Sequence, residues 1–179
     1  MRNPSKKYGL VLLALALLLA SLLPVRSSTA EPAFKVSTVF LVRHAEKQTS
    51  PPDDPALTAG GKTRAKNLAR ILSKARIKAI LTSQFARTKE TARPLAEATG
   101  VDPTIVPVDS DQAAKDYVDQ IALHPGESVL VVGHTNTIPQ IIGLLGGDKI
   151  PTIAETEFDN LFIVARYAKD KAKVIQIKY

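Results

Sequence analysis

Apolar residues are distributed in two ways along this chain. From Leu10 to Ala20, and on through Ser21-Leu22-Leu23, they run almost unbroken; beyond Thr38 they fall into short blocks separated by amphipathic stretches. The block Thr38-Val39-Phe40-Leu41-Val42 is β-rich and too short for a helix, which predicts a buried strand ending at Arg43-His44. Ser50-Pro51-Pro52-Asp53-Asp54-Pro55 cannot supply a ladder or a helix interior with amide donors and reads as a surface loop. Thr58 is placed to cap a helix running to about Ala75, with Ala65, Leu68, Ala69 and Leu72 at helical spacing.

The alternation continues with a short strand at Ala79–Thr82, a helix at Ala86–Thr99 stopped by Gly100, and a strand at Thr104–Val106. Pro94 is expected to kink the second helix or end its first part. Asp111–Leu123 reads as a helix and Ser128–Val132 as the strongest strand, ending at Gly133-His134. A helix through Gln140–Leu145 closes at Gly146-Gly147, and Leu161–Arg166 with Lys173–Ile177 form a hairpin. Strands separated by helices predict a layered α/β/α sandwich with a mainly parallel central sheet. No linker is long enough to divide residues 31–179 into two domains.

The first 30 residues need separate treatment. They hold four basic and no acidic residues around the apolar run, followed by the small residues Ser28-Thr29-Ala30, which is the layout of a secretory signal peptide. Cleavage after Ala30 is favoured over an uncleaved membrane anchor, because Pro24 interrupts the run and its apolar centre is short for a span. Both readings place residues 31–179 outside the cytoplasmic membrane, periplasmic or secreted, with membrane contact only through an uncleaved N-terminus. They also change the meaning of the net charge of +7. Without the four leader cations, 20 basic residues face 17 acidic ones, and the basic residues lie scattered with no aromatic-interleaved stripe. Nucleic acid is therefore not the expected partner. The absence of cysteine removes thiol nucleophiles, zinc–thiolate sites and a lipoprotein anchor together.

Arg43-His44, Ser83 to Arg87, and Gly133-His134 each directly follow a predicted strand, where open α/β sheets place their ligand sites. Two arginines would repel a divalent cation and attract an anion. Phosphate is the best geometric match, since guanidinium forks bind its oxygens in pairs and helix N-termini add amide donors. One histidine can then take up the phosphoryl group while the other holds its equatorial oxygens.

Arg43-His44-Ala45-Glu46, directly after Val39-Phe40-Leu41-Val42, resembles the Arg-His-Gly signature of the histidine phosphatase superfamily, which also contains the cofactor-dependent phosphoglycerate mutases. Three further blocks agree in order: Leu57-Thr58-Ala59-Gly60-Gly61, Ser83-Gln84-Phe85-Ala86-Arg87-Thr88-Lys89-Glu90-Thr91-Ala92, and Val132-Gly133-His134-Thr135-Asn136. The resemblance implies that His44 is the phosphorylated nucleophile, that Arg43 and Arg87 clamp the phosphate, and that His134 completes a pocket needing neither metal nor cofactor. Two departures stand out. Ala45 occupies the usual glycine position, and the helical insertion that in many relatives supplies a Glu or Asp as general acid is reduced here to Pro107–Asp116. Candidates for the acid are Asp109, placed first by its position, then Asp111, Glu46 and Glu157; Thr135 and Glu46 are candidate substrate contacts.

The expected activity is hydrolysis of phosphate monoesters through a phosphohistidine on His44, the substrate being a small phosphorylated compound such as a sugar phosphate or an envelope glycolipid phosphate. The alternatives are a phosphohistidine phosphatase, a phosphate-binding or interaction module without turnover, and a protein of anionic membrane surfaces. His124 reads as a surface residue. Lys62, Arg64, Lys66 and Arg70 read as a solvated helix face, Asp53 and Asp54 as loop residues over the site, and Thr135 and Asn136 as helix caps.

Overall fold

The computed structural model describes residues 35–168 and 170–179; the leader expected over residues 1–30 lies outside them. Strand β1 (Ser37–Arg43) is followed by α1 (Ala59–Leu72), β2 (Ile77–Thr82), α2 (Ala86–Thr99) and β3 (Pro103–Ile105). Then come α3 (Ala113–Ala122), β4 (Ser128–Gly133), α4 (Thr137–Leu144), β5 (Asn160–Ala168) and β6 (Lys171–Lys178). The six strands form one sheet in the order β3-β2-β4-β1-β5-β6. The first four of that order run parallel, and the β5–β6 hairpin adds to β1 antiparallel.

The pleat sorts the core into two faces. Val39 and Leu41 of β1, with Val129 and Val131 of β4, pack with Tyr117 and Ile121 of α3 and Ile138 and Ile141 of α4. Val42, Leu130 and Val132 point the other way, onto Leu68 and Leu72 of α1 and Ala92 and Leu95 of α2. The expected three-layer architecture with a mainly parallel sheet is therefore present, and β1 and β4 are buried on both sides, as their unbroken apolar runs require.

Element ends differ from expectation for local reasons. Helix α1 stops at Leu72, short of Ala75, and Arg76 just beyond takes a left-handed backbone with φ of 52°. Helix α4 starts at Thr137, three residues before Gln140, because Pro139 falls in the first turn, where the missing amide proton costs nothing. Helix α2 runs through Pro94 as one element, so the proline does not end it. Thr58 caps α1 as expected, accepting from the Gly61 N–H at 3.0 Å.

Gly61 serves a close approach. A Cβ there would stand 2.2 Å from the Glu46 carbonyl oxygen, which the Thr58 N–H holds at 2.9 Å. Backbone on both sides leaves nothing flexible to yield. Gly61→Ala is expected to destabilise the fold by about 3 kcal/mol, at the upper end for overpacking; urea denaturation of the two proteins would measure it.

Candidate active site

The site stands at the carboxyl ends of β1, β2 and β4. Arg43 pairs with Gly133 in the parallel register of β1 and β4, and the His44 N–H continues that ladder to the Gly133 carbonyl at 3.0 Å. The two histidines that follow these rungs are thereby brought side by side, with ring centroids 5.5 Å apart. The turn after His44 is held from α2, where Thr91 Oγ1 accepts from the Ala45 N–H at 2.9 Å. Ala45 is fully buried against Leu57 and Ala65, and Arg76 is the only described non-glycine residue with positive φ. A methyl group in place of the usual glycine is therefore accommodated and packed.

His44 Nδ1 lies 2.9 Å from the Ala45 carbonyl oxygen. That oxygen can only accept, so Nδ1 carries the ring proton and Nε2 keeps a lone pair. Burial, reinforced by the nearby Arg43, Arg87 and Lys47 charges, brings the ring down to about 4 and keeps it neutral at physiological pH.

His134 is fixed by a chain of hydroxyls. Thr88 Oγ1 lies 3.1 Å from the Ser83 carbonyl oxygen and 2.9 Å from that of Phe85, so its proton is committed to them. Its oxygen then accepts from Ser83 Oγ–H at 2.9 Å, and Ser83 Oγ accepts from His134 Nε2–H at 3.0 Å. Burial, then His44 and the two arginines, bring His134 to about 3. Of the two rings, only that of His44 has an Nε2 without a hydrogen-bond partner among the described residues.

The Arg43 side chain is wrapped by one segment. Its Nη1 donates to the carbonyls of Ala154 at 2.8 Å and Glu157 at 3.2 Å, its Nη2 to the Glu155 carboxylate at 2.5 Å, and its plane stacks 4.1 Å from the Phe158 ring centre. Arg87, in the first turn of α2, stacks at 4.1 Å on Phe85 and faces Asp54 at 3.9 Å. Nε of each arginine is buried and has no hydrogen-bond partner among the described residues. Desolvation lowers both guanidinium pKa values, yet both remain cations at any physiological pH.

Arg43, His44, Arg87, His134 and Thr135 line one cavity of about 410 Å³, together with Lys47, Phe85, Asp111, Asn136 and Glu155. Among the described residues no group of three or more His, Cys, Asp or Glu side chains is placed to hold a metal ion, and no helix is long and apolar enough to cross a membrane.

Several expected residues fall elsewhere. Asp109 is exposed and lies outside the cavity: beyond β3 the chain turns Val106 and Val108 inward, so Pro107 and Asp109 face solvent. Asp111 takes the rim position instead. Glu46 is not a cavity residue either; Arg64 binds both its carboxylate oxygens, with Nε at 3.0 Å and Nη2 at 2.7 Å, and holds its pKa below the usual range. Arg64 is accordingly half-buried and paired, whereas Lys62, Lys66 and Arg70 are exposed. The Glu157 carboxylate lies near Lys178 at 3.7 Å, and only its carbonyl reaches Arg43.

Asn136 makes no capping bond with its side chain and lines the cavity with Thr135. Asp54 caps α2, accepting from the Ala86 N–H at 2.7 Å. His124 pairs with Glu127 at 2.8 Å, away from the site. Sequence reasoning overlooked Glu155, Phe158 and Lys47, and the Ser83–Thr88 chain. The last was visible in principle, as hydroxyls flanking the Arg87 motif.

Residues 39–109 match the family model described as histidine phosphatase superfamily (branch 1). None of the curated proteins matches the chain by sequence. Among solved structures, the protein histidine phosphatase SixA complexed with tungstate is 18% identical, with a TM-score of 0.64 over 79% of this chain and 96% of that one. A candidate phosphohistidine phosphatase SixA from Agrobacterium tumefaciens is 22% identical, with a TM-score of 0.59 over 79% and 98% of the two chains. A mycobacterial glucosyl-3-phosphoglycerate phosphatase is 14% identical, with a TM-score of 0.60 over 81% and 99%. At these identities the likeness is one of fold. The resemblance to the histidine phosphatase superfamily holds, by the family model through the first two pocket motifs and by the fold across the described sheet.

Proposed function

We propose that this protein is a phosphatase that hydrolyses phosphate monoesters through a phosphohistidine formed on His44. The observation that carries this reading is the fixed tautomer of His44, whose Nε2 lone pair borders a cavity also lined by Arg43, Arg87 and His134. The arginines hold the phosphate oxygens and offset their charge, and His134, fixed by Ser83, walls the cavity beside the nucleophile. His44 Nε2 forms a bond to phosphorus as the ester P–O bond breaks, and the departing oxygen takes a proton. Asp111 is our choice of donor, replacing Asp109, because it stands at the cavity rim. Water then attacks the phosphohistidine and gives a proton to the Asp111 carboxylate as the N–P bond breaks, which releases inorganic phosphate and restores both the neutral ring and the acid.

The leaving group has a place to go. A second cavity of about 780 Å³, lined by Pro139, Leu144, Ile150 and Pro151, shares Asp111, Asn136 and Gln140 with the first. It suits the organic part of a sugar or glycolipid phosphate. The short connection between β3 and α3 favours a second reading, dephosphorylation of phosphohistidine, whose leaving group needs less acid help. We also read residues 1–30 as an export leader, testable by whether the mature mass starts at Glu31.

The full chain, incubated with an aryl phosphate and a chelator, is expected to release phosphate and to yield an acid-labile phosphoprotein after rapid quenching. Saturable phosphate binding without turnover on aryl phosphate or phosphohistidine would leave a binding module and refute the enzyme.

A further inference from the structure

We infer that Glu155 is an internal competitor for the phosphate group: its carboxylate occupies the outer edge of Arg43, the incoming phosphate displaces it, and it returns as inorganic phosphate leaves. This rests on the reading of the cavity as a phosphate site. Three of the four contacts that residues 154–158 make with Arg43 use backbone carbonyls or a ring, and these fix the guanidinium without adding an ionised group. The fourth is a full negative charge on Nη2, one of the donors through which a phosphate would be held.

The exposure of the two partners identifies which one yields. The Arg43 side chain is 3% exposed, whereas that of Glu155 is 79% exposed. A carboxylate so open to water loses little on leaving, because solvent replaces the interaction and its rotamers are released. The guanidinium has no such freedom. Arg87 offers a comparison: its partner Asp54 is more distant, at 3.9 Å, and is tied to the Ala86 N–H, so Asp54 stays as a helix cap. Among the described residues the Glu155 carboxylate has no partner other than Arg43, so it is the anion with least to hold it in place.

The consequence is uniform: ester and product phosphate meet the same competitor, so Glu155 weakens binding of both and keeps the cavity from filling with product. The test is calorimetric titration of the full chain with inorganic phosphate, alongside aryl phosphate kinetics, for wild type, Glu155→Gln and Glu155→Asp. Glu155→Gln is expected to tighten phosphate about tenfold and to lower KM in parallel, without raising kcat; a factor of ten corresponds to about 1.4 kcal/mol. Glu155→Asp, which keeps the charge, should fall between.

In an Arg43→Ala background the gain from Glu155→Gln should shrink to less than about threefold, as the coupling requires. Weaker phosphate binding in Glu155→Gln would mean that Glu155 positions Arg43, and would overturn the proposal. So would unchanged binding with a kcat lost only on esters of poor leaving groups, the signature of a proton donor. If the folded wild type binds no phosphate at all, the phosphate site itself is refuted and the competitor with it.

Discussion

Replacing His44 by alanine is expected to lower kcat/KM for an aryl phosphate by at least about 10⁴-fold and to abolish the acid-labile phosphoprotein, while inorganic phosphate still binds within a few-fold of wild type. The asymmetry follows from the division of roles. The nucleophile contributes only along the reaction, so its loss removes the covalent route entirely. On the proposed reading binding rests on Arg43 and Arg87, which are held by the 154–158 segment and by Phe85 without help from the ring. His134→Ala should behave differently, with a smaller loss and a phosphoprotein still trapped, because the Nε2 of His134 is engaged by Ser83. Phosphorylation surviving in His44→Ala and lost in His134→Ala would exchange the two assignments.

Acid is expected to destabilise the fold in a window set by the same two rings. Both histidines sit below their ordinary pKa, at about 4 for His44 and about 3 for His134, chiefly because burial penalises the charged form. The unfolded chain therefore takes up protons from about pH 6.5 downward while the native rings stay neutral. Their contribution to stability is complete above pH 6.5 and is lost as pH falls toward 4 and then 3. Each pKa unit is worth about 1.4 kcal/mol, so the pair accounts for a loss on the order of several kcal/mol.

Glu46 and Asp159, held low mainly by hydrogen bonds from Arg64 and Lys178, act in the same direction but only in the carboxylate range. Urea midpoints measured between pH 7 and pH 4 should fall steadily in the wild type and fall less in His44→Gln/His134→Gln. Imidazole resonances titrating near 6.5, with a flat stability profile, would contradict this.

The layered fold was legible because β1 and β4, buried on both faces, announce themselves as unbroken apolar runs between amphipathic helices. The four pocket residues were legible for a related reason: each ends a strand, follows one or opens the helix after one, so topology alone gathers them. What failed were side chains in loops, where pattern carries no direction. Asp109 and Asp111 differ by two places in the chain, yet only Asp111 borders the cavity. Glu46, beside the nucleophile in sequence, is turned to Arg64, eighteen positions on. Glu155 reaches Arg43 across 112 positions, a pairing that no local spacing encodes.

The ladder between β1 and β4 has a further consequence for how such a protein can change over generations. His44 and His134 each follow one partner of the same rung, Arg43–Gly133, of a parallel pair, so their separation is gauged by the spacing between strands, which no loop substitution alters. On the proposed reading, the phosphate-handling centre is thus written into the sheet. Most of the remaining lining of the two cavities comes from helix ends and connections around α3, α4 and residues 149–158, which can lengthen, shorten or change charge without disturbing that gauge. If the proposed reaction holds, chemistry and selectivity are inherited separately, and a descendant can acquire a new ester while keeping the old reaction.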